Sequence, residues 1–298
     1  MIDFGASGIV INPHGPVEQR VPCRLCDRGL RDNALGVNIE TGAFHCFRCN
    51  WKGRAGGDNG APLRPISRID DPAVGERKRE RLRRIWKETV PLNHADARAV
   101  RTYLESRALG DILQAPPAVL RAHRGLEYWD GSDNFGSYPA MVALFHGAGG
   151  QPVTLHVTYL RNDGCAKASV RGPKKILGVP VRGATKGGAI HLYEPRAGIL
   201  GIAEGIESAL SMHLLQKLPT WSSYCADNLQ RAHLPKGLLE LHIGVDVDAS
   251  GKGEQVAQSL AKRIRKFSAH TKVYIVTPEV DGTGDLNDEL RRRKYGRR

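Results

Sequence analysis

The spacing of hydrophobic positions changes several times along the chain. Residues 17–55 are rich in turn formers, and 36–44 reads as a hairpin. From 75 to about 108 the apolar residues recur at helical spacing, first Leu82, Ile85 and Trp86, then Val100, Tyr103 and Leu104, until Pro116 and Pro117 interrupt the pattern. Residues 140–145 and 153–160 read as strands bounded by glycines, within a stretch of short extended runs from 138 to 192. After Pro195 the pattern alternates. Strands are predicted at 199–203, 220–224, 239–245 and 272–276, with helices at about 206–218 and 253–267. Strands alternating with helices predict an α/β fold with a parallel sheet flanked by helices, here preceded by an α+β segment. Residues 53–62 have the composition of a flexible linker.

Composition narrows the partners. The chain has 298 residues, 41% of them hydrophobic and 25% charged, as in ordinary soluble proteins with room for about two domains. Lys+Arg exceed Asp+Glu by 44 − 31, a net charge of +13, which favours a polyanionic partner. Residues 137–195 carry 7 basic against 2 acidic groups, so this stretch is the best-placed surface for a polyanion. The run Arg291 to Lys294, with Arg297 and Arg298, is a second such surface; its plainer reading is a helix end whose cations suit the macrodipole. No apolar run approaches a membrane span and no secretory signal opens the chain, so a cytoplasmic protein with no membrane partner is expected. Six cysteines in a reducing compartment point to metal rather than to disulfides.

The cysteines carry the first chemistry. Cys23 and Cys26 form one Cys-x-x-Cys pair and Cys46 and Cys49 a second, with 19 residues between the pairs. Each pair can wrap one side of a metal, and four thiolates fill the tetrahedral sphere of Zn²⁺, so a closed structural site is expected. His45 reads as a surface histidine of the hairpin. Phe44, Phe47 and Trp51 flank the second pair and read first as the core of a small module; any that is exposed beside Arg48 and Lys52 could stack on single-stranded bases. Cys165 and Cys225 have no partner pattern and read as small packing residues.

Carboxylates carry the second. Glu204-Gly205 follows the strand 199–203, and Gly205 is expected to allow a sharp turn and a ligand's close approach. Asp246 and Asp248 follow the strand 239–245 and, two apart in extended chain, are expected to point to one side. Asp285 and Asp288 lie beyond the last strand. Residues after the carboxyl ends of parallel strands share one crevice, so the three acidic motifs are expected to converge there. Converged carboxylates repel unless a cation neutralises them, and Mg²⁺ or Mn²⁺ does so while also binding phosphates. Glu207, one turn beyond Glu204, reads more simply as a charge at a helix N-terminus; whether Glu207 or Asp288 joins the metal site stays open.

At these residues the sequence resembles the Toprim domain shared by bacterial-type DNA primases, topoisomerases and some nucleases. Ile202-Ala203-Glu204-Gly205-Ile206-Glu207-Ser208 resembles its glutamate motif, Asp246-Val247-Asp248 its DxD motif, and Gly284-Asp285-Leu286-Asn287-Asp288 its third acidic motif. The cysteine quartet, with His45 to Gly53, is similar to the zinc ribbon at the head of those primases, although such ribbons often use a histidine ligand. The segment 137–193, with Arg171-Gly172-Pro173-Lys174-Lys175, resembles the region preceding Toprim in phage- and plasmid-borne primase-like proteins. The resemblance implies a zinc ribbon at 1–55, a linker at 56–75, a primase-like first part of the catalytic core at 76–195, and a Toprim domain at 196–298.

A DNA primase follows as the expected function: synthesis of short RNA primers from ribonucleoside triphosphates on single-stranded DNA by metal-dependent nucleotidyl transfer. The resemblance makes Glu204 the acid/base residue, and Asp246, Asp248 and Asp285, with Glu204, the holders of Mg²⁺ or Mn²⁺. It makes Lys174, Lys175 and Arg171, with Arg48 and Lys52 of the ribbon, contacts to nucleotide or template. No Gly-x-x-x-x-Gly-Lys loop occurs, so a helicase partner would be a separate protein, and the chain would belong to a bacterial cell or to a phage or plasmid within one. The alternatives are a Toprim-type metal-dependent nuclease and a non-catalytic, zinc-containing DNA-binding protein.

Overall fold

A computed structural model describes residues 2–5, 7–25, 33–49, 51–55, 72–130 and 133–296. The chain divides into two compact units, Met1–Arg68 and Ile69–Arg298. Most of the expected linker, 56–71, lies outside the described residues, and 72–75 open a helix.

The first unit is a four-stranded antiparallel meander of β1 (Glu18–Val21), β2 (Leu35–Asn38), β3 (Ala43–Cys46) and β4 (Lys52–Arg54), in that spatial order. Leu35 and Val37 alternate inward on β2 and meet Phe44, Cys46, Val21 and Ile9 in a small core. The expected hairpin is the β2–β3 pair, in register Leu35↔Cys46 and Val37↔Phe44. Asn38 Oδ1 accepts the N–H groups of Glu40 and Thr41 at the turn. Gly42 closes it at φ +74°, where a Cβ would lie 2.7 Å from the Ala55 carbonyl oxygen.

The second unit opens with α1 (Pro72–Glu88) and α2 (Arg98–Ser106), separated by the short strand β5 (Val90–Pro91). The helical pattern expected from 75 to 108 is therefore two helices. Thr89 turns its hydroxyl back onto the Trp86 carbonyl, and Pro91 has no N–H with which to continue a helix. Next come the long β6 (Leu120–Asp130) and β7 (Asp133–His146), then β8 (Pro152–Tyr159) and β9 (Lys174–Ile176), which with β5 form an antiparallel sheet in order β5-β6-β7-β8-β9. Alternation gives this sheet two apolar faces. Ala140 and Val142 of β7 face Ile85, Leu82 and Trp86 of α1. Met141 and Ala143 face Tyr103 and Leu104 of α2 and Ile206 and Leu210 of the helix that follows β10.

The rest of the unit is β10 (Ile199–Ala203), α3 (Ile206–Gln216), β11 (Thr220–Ser222), α4 (Ala226–Arg231), β12 (Glu240–Gly244), α5 (Lys252–Phe267), β13 (Lys272–Val276) and α6 (Leu286–Tyr295). The strands form a parallel sheet in order β11-β10-β12-β13, as the alternation of strands and helices predicts. Leu200, Ile202, Leu241 and Ile243 pack against Val256, Leu260 and Ala261 of α5. Met212 of α3 and Leu286 of α6 pack together against Val276 and Ile199. Residues 189–190 join the two sheets: Ala189 bridges to His146, the last residue of β7, and Ile190 bridges to Ser222 of β11. Every residue from Ile206 to Met212 is buried, because α3 is covered by both the antiparallel and the parallel sheet.

Candidate metal and nucleotide site

Three loops at the carboxyl ends of the parallel strands assemble the acids. Glu204 is the first residue after β10, and its carbonyl oxygen accepts the Tyr224 N–H at 2.8 Å and the Ser222 hydroxyl at 2.9 Å. Asp246 lies two residues beyond β12. Its loop is pinned by the start of α5, since a Cβ on Gly253 would lie 1.9 Å from the Asp246 carbonyl oxygen. Val247 and Gly284 exchange both backbone hydrogen bonds, at 2.8 and 2.9 Å, and so bring the loop carrying Asp285 alongside Asp246.

The electrostatics record this convergence. Burial, with the negative charges of Asp285 and Glu204, pushes the Asp246 carboxyl up to about 7, against the opposing pull of a Ser208 hydrogen bond and the Lys174 charge. Burial also raises Glu204; the charges of Lys174 and Lys252 oppose the shift and that of Asp248 adds to it. Asp246 Oδ1 is buried and has no hydrogen-bond partner among the described residues. Among the described residues only the cysteines bring three ligand atoms within 4.8 Å of one another, so the acids lie near each other without forming a closed cage; their all-oxygen chemistry and the unpartnered Asp246 Oδ1 suit a hard divalent cation such as Mg²⁺ or Mn²⁺.

Asp248 departs from the expected geometry. The chain turns after Val247, so Asp246 is half-buried while Asp248 is exposed. Asp248 Oδ1 accepts the Ser250 N–H at 2.7 Å and the Ser250 hydroxyl, an Asx turn that holds this carboxyl below its usual range. Asp285 is the N-cap of α6, its Oδ1 accepting the N–H groups of Asn287 and Asp288 at 2.7 and 3.0 Å, while Asp288 Oδ2 accepts the Asp285 N–H at 3.2 Å. Asp288 thus completes a capping box. Gly205 has ordinary extended dihedrals, φ −85° and ψ 158°, so no sharp turn demands a glycine there.

Glu207 is not a solvated helix charge. It is 5% exposed, accepts the Tyr103 hydroxyl at 2.6 Å and pairs with Lys167 Nζ at 2.9 Å. Burial pushes its carboxyl up, but Lys167, Lys174 and the Tyr103 hydrogen bond outweigh it and bring it down to about 2. Lys167 and Lys252 carry no motif that would single them out, whereas Ser208 lies in the stretch that resembles the glutamate motif, four residues after Glu204 and on the first turn of α3.

The basic residues sort by strand alternation. Lys174 acts electrostatically on Glu204, Glu207 and Asp246. Lys175 points to the opposite face, its Nζ lying 3.7 Å from the centroid of the Tyr128 ring and donating to the Trp129 carbonyl. Arg171 is exposed, and its carbonyl accepts the Tyr128 hydroxyl. The C-terminal cations are drawn into intramolecular pairs: Arg291 with Asp288, Arg292 and Arg293 with Glu279, Arg293 also with Glu289, and Lys294 with Asp111. Arg297 and Arg298 lie outside the described residues.

In the first unit, the sulfurs of Cys23, Cys46 and Cys49 all lie within 4.8 Å of one another, and Cys23 and Cys49 are 3.7 Å apart. A tetrahedron with Zn–S arms of about 2.3 Å has edges of about 3.8 Å. The Cys49 N–H donates to Cys46 Sγ at 3.5 Å. Burial raises the Cys46 thiol, but backbone N–H groups of Cys49 and Arg48 and the neighbouring thiols lower it to about 7. The cluster fits a zinc ribbon. Cys26 lies outside the described residues. Phe44 is buried against Trp51, whereas Phe47 is 56% exposed, with the Arg20 guanidinium 3.9 Å from its ring centroid and the His45 ring at 4.8 Å. Arg48 and Lys52 are exposed. Of the unassigned cysteines, Cys225 is half-buried, but Cys165 is exposed in a turn and packs no core.

Residues 76–187 match a domain family of unknown function, DUF7146, and residues 199–295 match the Toprim domain family. No curated protein sequence matches the chain. Among solved structures, it is similar to the primase fragment of the bacteriophage T7 primase-helicase protein, with 13% identity, 93% of this chain and 95% of that one covered, and a TM-score of 0.38. It is similar to the zinc-binding and RNA polymerase domains of the Aquifex aeolicus primase, with 16% identity, 98% and 79% covered, and a TM-score of 0.41. It is also similar to the E. coli primase catalytic core, with 14% identity, 75% and 77% covered, and a TM-score of 0.47. The stretch 199–295, which holds Glu204, Asp246, Asp248 and Asp285, is a Toprim domain.

Proposed function

We propose that the chain is a DNA primase that joins ribonucleotides into short primers on single-stranded DNA. The observation that carries this reading is the gathering of Glu204, Asp246 and Asp285 at the carboxyl ends of the parallel strands, with Asp246 Oδ1 left without a partner. A cysteine cluster suited to zinc stands in the same chain. Nucleotidyl transfer asks little covalent chemistry of a protein, which contributes positioning and charge. Asp246, Asp285, Asp248 and Glu204 would hold Mg²⁺ or Mn²⁺, which when bound neutralises phosphate charge and favours attack by a 3′-hydroxyl. Glu204, raised above the usual carboxylate range, suits a group that takes up a proton near that hydroxyl. Lys174 faces the same acids and would meet the nucleotide's phosphates, while Lys175 and Arg171, together with Arg48, Lys52 and exposed Phe47 of the ribbon, would meet template. Zinc on the cysteines would hold the ribbon folded. A replicative helicase would complete the setting. Among the described residues no helix is long and apolar enough to cross a membrane.

The test is incubation of the full chain with single-stranded DNA, labelled ribonucleoside triphosphates and Mg²⁺ or Mn²⁺. Labelled oligomers a few nucleotides long support the reading. Shortened DNA would replace it with a nuclease, and neither product would leave a zinc-containing DNA-binding protein.

A further inference from the structure

The antiparallel sheet carries a groove on the face away from the acid cluster. Alternation along β7 separates the two faces. Met141 and Ala143 pack with Ile206 and Leu210 of α3, whose first turn adjoins Glu204, whereas Ala140, Val142 and Leu144 lie on the side of α1. One wall of the groove is the stripe Arg79, Leu82, Arg83 and Trp86, four positions that share one side of α1. The other is the start of β8, from Pro152 to Leu155, with Pro180 and Val181 of the loop after β9; Leu144 lines it as well. The groove holds about 560 Å³, within the range of small-ligand pockets. It is held open from both sides. Lys78 Nζ donates to the Val179 carbonyl at 3.2 Å, and the Thr154 hydroxyl donates to the Leu177 carbonyl at 3.0 Å, so the loop is tied both to α1 and to β8.

The rim is cationic. Arg79 and Arg83 both pair with Glu76, at 3.0 and 2.9 Å, so two guanidinium groups share one carboxylate and a positive charge is left over. Arg182 is exposed beside Val181, and no Asp or Glu occurs from 164 to 193. The lining, by contrast, is mostly aliphatic, and Val181 is 50% exposed. Single-stranded nucleic acid takes hold where bases find open aromatic faces. The one ring in this lining, Trp86, already has the Arg121 guanidinium 5.1 Å from its centroid. An aliphatic trough under a positive rim is instead complementary to a protein segment with apolar side chains on one face and carboxylates on its flanks.

We propose that this groove docks an acidic amphipathic helix of another protein. The helix's apolar face fills the trough between α1 and β8, and its carboxylates meet Arg79, Arg83 and Arg182. Because the groove and the acid cluster lie on opposite faces of the sheet, the partner holds the chain without covering the cluster. The inference does not depend on the reaction assigned to the acids.

Fluorescence anisotropy of a labelled synthetic peptide with the full chain tests this. The probe is an amphipathic helix of about 14 residues, with leucines at helical spacing and glutamates on the flanks. Two companion peptides carry lysines in place of the glutamates, or serines in place of the leucines. Val181→Glu puts a carboxylate into the trough from an exposed position, and Arg79→Gln/Arg83→Gln removes charge from the rim. Melting temperatures are measured for both, and Val181→Glu decides the outcome if the arginine variant is unstable. The acidic amphipathic peptide should bind the wild type. Each companion peptide, and each variant, should weaken binding about tenfold or more, the scale of one well-placed interface contact. No binding of the acidic peptide, equal binding of its serine companion, or wild-type binding by Val181→Glu would overturn the proposal. Two other occupants would overturn it as well. A matching loss of affinity for a short single-stranded DNA in Val181→Glu would make the groove a nucleic-acid site. Self-association of the chain, seen by sedimentation and abolished in Val181→Glu, would make it the seat of a second copy.

Discussion

Val247 and Gly284 exchange two backbone hydrogen bonds, and this bridge between loops 37 residues apart in sequence sets the charge of Asp285 against Asp246. Backbone pairing, with Val247 and Leu286 packed into the cores on either side, holds the loops, so the acids can repel one another without separating. Burial first, and then the charges of Asp285 and Glu204, raise the Asp246 carboxyl.

Asp285 has two separable roles, as N-cap of α6 and as a carboxylate of the cluster. Asparagine caps a helix about as well as aspartate. Asp285→Asn should therefore melt with the wild type and lose synthesis, whereas Asp285→Ala should lose synthesis and also about 1 kcal/mol of stability. Urea unfolding of the two variants beside a primer-synthesis assay separates the roles. Equal stabilities would show that the cap contributes nothing.

Asp246 is strained in the absence of a cation, so removing its charge should relieve the fold. Asp246→Asn, in metal-free buffer, should be more stable than the wild type by about 1 kcal/mol, the usual scale of gain when a function-bearing charge is removed. Added Mg²⁺ should raise the wild type's melting temperature and leave the variant's unmoved. Thermal unfolding with and without Mg²⁺ checks both, and a destabilised, Mg²⁺-responsive variant would refute the strain.

Glu207 sets an acid limb to stability. Its carboxyl is held at about 2 in the folded protein against an ordinary 4.5, so the folded state favours the ionised form. The resulting stabilisation is complete above the unfolded value and is lost as pH falls through the folded one. Unfolding free energy measured from roughly pH 5 down to pH 2 should fall in the wild type more steeply than in Lys167→Met/Glu207→Gln. Parallel curves would mean that the ion pair carries no such linkage.

The cysteine cluster predicts a local effect. Cys46→Ser removes a buried thiol that sits between Cys23 and Cys49 and accepts a backbone N–H. Zinc measured by mass spectrometry should fall from one per chain to none, and the second unit, 69–298, should keep its unfolding transition. Retained stoichiometric zinc would contradict the ligand set.

Much of the second unit is legible in the sequence, because strands and helices alternate there and the two central strands run into acids, β10 into Glu204 and β12 through Gly244 into Asp246. Strand 272–276 and helix 253–267 emerge within a residue or two of where the hydrophobic spacing places them. Strand β6 is far less visible, since Arg124-Gly125 and a register shift between His123 and Leu126 break its alternation. That Glu204 and Asp246 follow the carboxyl ends of neighbouring parallel strands is read from topology alone. The orientation of Asp248 is not, because a Ser250 hydroxyl two residues away turns it. The role of Glu207 is hidden for a related reason: its partners, Tyr103 and Lys167, come from segments 104 and 40 residues earlier in the chain, and only the packing of α3 between two sheets joins them.

The central claim is that the carboxylates at the ends of β10 and β12 carry template-directed joining of ribonucleotides. Side-by-side primer synthesis by the wild type, Glu204→Gln and Asp246→Asn, on one single-stranded template with Mg²⁺, tests it most directly. The account predicts labelled oligoribonucleotides from the wild type and a loss of at least ~100-fold in each variant, with DNA binding intact in all three. Synthesis at the wild-type rate by either folded variant would contradict it.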